Sequence, residues 1–143
     1  MRRFLEKYQF LPLPVYPILF GLYPVVFMWS ANRTQQPAYV LLPALLMTLA
    51  SVLAVYLMGT VLLRSAQRAA LVSTILSFYT LSYGHFTGLL EKINLKLPEQ
   101  YVLPGTALLT LVILGIVILR RTGRPGLTRV LNVVSIVLIL FPL

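Results

Sequence analysis

Residues 39–63 read YVLLPALLMTLASVLAVYLMGTVLL, 25 residues without a single Asp, Glu, Lys or Arg. A helix needs roughly 20 apolar residues to cross about 30 Å of hydrocarbon, and this run supplies them. Strands seldom exceed about ten residues, so length alone favours helix. The pattern agrees, because a membrane-spanning strand alternates polar and apolar residues and LLPALLMTLA does not.

The same spacing recurs on both sides. Uncharged stretches of 25 residues separate Lys7 from Arg33, 30 separate Arg33 from Arg64, 22 separate Arg68 from Glu91, and 20 separate Glu99 from Arg120. A final 14 uncharged residues follow Arg129. These intervals predict an all-α, polytopic membrane helix bundle forming a single transmembrane domain over residues 1–143. Four full transmembrane helices are expected, at about Phe10–Ala31, Tyr39–Leu63, Ala69–Leu90 and Tyr101–Leu119. A truncated fifth is expected over Val130–Leu143, too short at 1.5 Å per residue to cross completely. A natural chain seldom stops in hydrocarbon without a polar end, so the chain is expected to continue past Leu143.

Composition points the same way. Hydrophobic residues make up 59% of the 143 and charged residues 10%, with a mean hydropathy of +0.89. Soluble domains carry about 45–50% apolar and about 25% charged residues. With no cysteine, one histidine and three acidic residues, the chain lacks the donors for a thiol nucleophile, a disulfide framework or a metal centre. No phosphate-cradling glycine loop, HExxH or nucleophile elbow is present. No catalytic residue, metal ligand or cofactor is therefore assigned.

The net charge of +9 would suit nucleic acid, but its distribution does not. Arg2, Arg3, Lys7, Arg64, Arg68, Arg120, Arg121, Arg124 and Arg129 fall on one side of the expected bundle, and Arg33, Lys92 and Lys96 on the other. Basic short loops stay cytoplasmic, so the N-terminus is read as cytoplasmic. A nucleic-acid site would need one contiguous basic face. The basic cytoplasmic loop Arg120, Arg121, Arg124 and Arg129 can also meet anionic head groups. The lipid bilayer is thus the expected partner, with no nucleic acid.

Three features carry the finer expectations. Pro12, Pro14 and Pro17 crowd the start of the first helix, so regular helix is expected from about Pro17, with a kink near Pro24. In the third helix Ser73, Ser77, Thr80, Gly84 and Gly88 recur every three or four residues and share one face. This stripe, ending in GxxxG, predicts close helix packing against Ala44, Thr48 and Ser51 of the second helix. Gly84→Leu is then expected to lower thermal stability. Beside it lies His85, the only histidine. His85 and Tyr83 are the candidates for a lipid or proton contact, set against a purely structural, hydrogen-bonded role.

The strings LPLPVYPILFGLYPVVFMWSANR (11–33), RSAQRAALVSTILSF (64–78), SYGH (82–85) and RRTGRPGLTRVLNVVSIVLIL (120–140) together resemble the N-terminal transmembrane region of bacterial sulfatase-like membrane hydrolases and transferases. That group belongs to the alkaline phosphatase superfamily and includes members of unassigned activity. The resemblance implies five membrane helices in a bacterial inner membrane, leading to an extracytoplasmic soluble domain that holds the nucleophile and metal ligands. None of those catalytic residues has a counterpart here. The implied role is a non-catalytic anchor or scaffold for a longer surface enzyme. The alternative is a small accessory subunit of a respiratory or photosynthetic membrane complex, with other membrane helices as its partners.

Overall fold

A computed structural model describes residues 13–92, 98–119 and 125–142. Every regular element among them is helical: α1 (Tyr16–Ala31), a 3-10 turn (Ala38–Val40), α2 (Leu41–Leu63), α3 (Ala66–Lys92), α4 (Glu99–Leu119) and α5 (Pro125–Leu140). The all-helical expectation holds among the described residues.

Boundaries and lengths depart from expectation in two helices. The first starts at Tyr16 rather than Phe10: Leu13–Val15 are not helical, and Pro17 sits in its first turn. The fifth starts at Pro125, five residues before Val130, since proline suits a first helical turn. Each of these helices has 16 residues, about 24 Å of rise. Two helical stretches, Ala38–Leu63 and Gln100–Leu119, are long and apolar enough to cross a membrane; Tyr16–Ala31 and Gly126–Leu140 are shorter apolar helices. So two helices, not four, meet the full-span requirement of length and composition. Helix α3, at 27 residues, has length to spare. Its Ser, Thr and Gly positions dilute its apolar character.

The packing makes those hydroxyls intelligible. Helix α1 touches α2, α3 and α5, while α3 touches α1, α2 and α4. Helices α1 and α3 are thus central, and α4 and α5 flank them. Helices α2 and α3 form the most extensive pair, joined by a two-residue turn. Arg64 takes a left-handed conformation there (φ 49°), a strained backbone for a side chain other than glycine. The Arg68 guanidinium donates to the Leu63 carbonyl at 2.7 Å, satisfying a free acceptor at the end of α2. Ser65 Oγ accepts from the Arg68 amide at 3.4 Å, opening α3. Both helix ends are therefore closed within five residues.

The interior is a mixture in which small and hydroxylated residues stand beside buried Tyr16, Val26, Val52, Val102 and Leu114. Ala69, Ala70, Ser73 and Ser135 are fully buried, and Ser77 and Thr128 nearly so; Gly21 and Gly59 are buried too. What lies outside is large and aliphatic, including Leu46, Met47, Val61, Leu62, Leu108, Leu111, Val133, Val137 and Leu140. Threonines on the helices bond back to their own helix, as with Thr74 to the Ala70 carbonyl (2.9 Å) and Thr110 to that of Thr106 (2.8 Å). Their polarity is internally satisfied.

Candidate functional site

The most connected polar group among the described residues is Asn132, midway along α5. Its Oδ1 accepts from the amides of Val15 and Tyr16, both at 3.1 Å, and its Nδ2 donates to the Leu13 carbonyl at 2.9 Å. The first amides of a helix have no partner within it, and Val15 supplies no side-chain cap. Asn132 supplies one from another helix. The remaining donors of this turn are also covered: prolines 14 and 17 have no N–H, and the amides of Ile18 and Leu19 reach the Val15 carbonyl. Farther along, Ser30 Oγ donates to the Pro142 carbonyl. Contacts at both ends run in the same sense, so α1 and α5 are parallel.

The α3 stripe divides in two. Ser73 and Ser77 are buried in the bundle, and Ser73 Oγ donates to the Val52 carbonyl of α2 at 3.3 Å. Thr80 and Gly84 are exposed and Gly88 half-buried. A Cβ added at Gly84 or Gly88 would meet nothing within 4 Å. On α2, Ala44 and Thr48 are half-buried, whereas Ser51 is exposed and bonds its own Met47 carbonyl. The close helix approaches fall elsewhere. A Cβ on Gly59 would lie 3.3 Å from the Ala69 Cβ, and one on Gly21 only 2.5 Å from Val52 Cγ2. The expected effect of Gly84→Leu is therefore revised: stability in detergent should stay within about 0.5 kcal/mol of wild type, read by the unfolding midpoint.

His85 lies on α3, but its side chain is outside the described residues, as are Arg120, Arg121 and Arg124. Arg129 is exposed on α5. Tyr83 packs edge-on against Tyr79 with centroids 6.3 Å apart, and the Tyr79 hydroxyl reaches toward the Leu103 carbonyl of α4 at 3.5 Å. Among the described residues no three His, Cys, Asp or Glu side chains gather as a metal would require.

Two crevices of about 470 Å³ each indent the bundle. One lies between α1, α3 and α4 and is walled by Phe20, Phe78, Tyr79, Tyr83, Leu109 and Ile113. The other sits where α1 gives way to α2 and is lined by Pro24, Met28, Leu41, Ala44 and Leu81 together with Asn32 and Gln36. Trp29 also lines it, and the indole Nε1 is buried with no hydrogen-bond partner among the described residues. A buried donor left unpaired costs about 1–3 kcal/mol.

Sequence reading did not single out Asn132. The available signal was an amide side chain inside an uncharged 14-residue run, a costly group at membrane depth unless it has partners.

No family model, curated protein or solved structure matches this chain.

Proposed function

We propose that the chain is a non-catalytic integral membrane module whose described helices all lie at membrane depth, with a cytoplasmic N-terminus. It anchors or scaffolds a longer surface enzyme of the sulfatase-like kind that its sequence resembles. The observation that carries the membrane assignment is the reversal of polarity between interior and surface. Leu, Ile and Val rank among the most buried residues of soluble proteins; here most of them are exposed or half-buried, only Val26, Val52, Val102 and Leu114 being buried among the described residues, and Ser, Ala and Gly supply much of the contact between helices. Lipid gives helices no hydrophobic reason to associate, so small residues that admit close backbone contact take over that role.

Orientation follows from the basic turn at Arg64–Arg68 and from the parallel course of α1 and α5. Both helices run outward, and any chain continuing beyond α5 would emerge on the extracytoplasmic face, where the soluble domain of such enzymes lies. That arrangement supports the anchor over the accessory subunit.

The absence of cysteine makes topology directly testable. In spheroplasts, a membrane-impermeant maleimide should label Gln36→Cys at once and Arg64→Cys only after permeabilisation. Labelling of both from one face, or recovery of the chain as a dissolved monomer without detergent, would overturn the assignment.

A further inference from the structure

We propose that the crevice at the α1–α2 junction binds one glycerophospholipid of the extracytoplasmic leaflet, a site that rests on the membrane assignment above. Three observations converge on this ligand. The first is mixed polarity: the lining joins apolar Pro24, Met28, Ala44 and Leu81 with the amide side chains Asn32 and Gln36, which lie just past the end of α1. From Pro24 to Asn32 the axis rises about 12 Å, the passage from hydrocarbon to head-group level. The second is the Trp29 indole N–H, buried and unpaired at this level, where ester carbonyls are the abundant acceptors. The third is charge. Arg33, exposed and adjacent to Asn32, is the only charged residue in the 32–40 connection, and a guanidinium pairs with phosphate in a forked geometry.

These features fit an amphipathic anion and exclude simpler occupants. A free phosphate would leave the apolar floor uncovered. A bare hydrocarbon would leave the indole without a partner. A glycerophospholipid supplies chain for the apolar lining, an ester carbonyl for the indole donor, and a phosphate within reach of Arg33, which adjoins the lining residue Asn32.

Trp29 is the only tryptophan, so tryptophan emission, excited at the red edge where tyrosine does not absorb, reports on this crevice. The purified chain in detergent is titrated with phosphatidylglycerol carrying dibrominated acyl chains. Saturable quenching is expected, reversed by unbrominated phosphatidylglycerol but not by glycerol phosphate. Ala44→Phe, which fills the floor, should raise the apparent Kd about tenfold; Arg33→Gln should raise it severalfold. Leu81→Phe serves as a second filling variant if Ala44→Phe does not fold by circular dichroism. Quenching that grows linearly with lipid fraction and is identical in the filled variants overturns the site while leaving the membrane assignment intact. Reversal by glycerol phosphate overturns the lipid in favour of a plain anion. A chain that stays dissolved without detergent defeats both proposals.

Discussion

Replacing Asn132 with leucine is expected to lower the unfolding free energy by about 2–3 kcal/mol in detergent, the largest loss from any single polar side chain described. The substitution removes three hydrogen bonds at once. Interhelical hydrogen bonds in membranes average about 0.6 kcal/mol each, so the bonds alone account for about 2. The rest comes from amides left without partners, each worth about 1–3 kcal/mol when buried. Water lessens that penalty at Val15, which is 41% exposed, but not at Tyr16, which is 1% exposed. Asn132→Asp separates the contributions. It keeps both acceptor bonds and sets a negative charge against the positive end of α1, losing only the bond to Leu13, so its loss should be smaller. Equal stability of Asn132→Leu and wild type in a denaturant titration would remove Asn132 as the cap of α1.

The second large effect is expected at Gly21. Leucine there should cost about 3 kcal/mol, whereas the same change at Gly84 costs almost nothing. The difference lies in what surrounds each glycine. A Cβ at Gly21 would stand 2.5 Å from Val52 Cγ2, and Val52 is 3% exposed and β-branched, hence stiff about χ1. It cannot swing aside, so α1 and α2 must separate, and overpacking of this kind costs about 1–3 kcal/mol or more. Trimming the obstacle should restore part of the loss: the Gly21→Leu, Val52→Ala double variant is expected to recover at least about 1 kcal/mol through the coupling of contacting residues. Strict additivity of the two changes would show that the helices do not meet there.

These two positions also mark how far sequence reading reaches. The spacing of charges made the helices and their number legible, and α2 ends at Leu63 and α4 at Leu119 as expected. Proline positions foretold regular helix from about Pro17. Partner choice was not legible. GxxxG at Gly84 and Gly88 states that a face is smooth but not that anything lies against it. The isolated glycines 21 and 59, which carry no motif, sit where helices come closest. The role of Asn132 was invisible for a different reason: its partners lie 116 and 117 residues away, and no local pattern encodes a contact of that range. The length of α1 was misjudged because charge spacing measures the distance between loops, not the residues within it that prolines withhold from helix; α5 was expected to be short and is, although it opens at Pro125 rather than Val130.

The separation between Tyr16 and Asn132 has a consequence for biosynthesis. A ribosome adding about 5–20 residues per second delivers Asn132 roughly 6–23 s after Tyr16. Throughout that interval α1 carries bare amides at its N-terminal end, and only the arrival of α5 covers them. Among the described helices the order of synthesis and the order of completion are therefore opposite: α1 is made first and capped last.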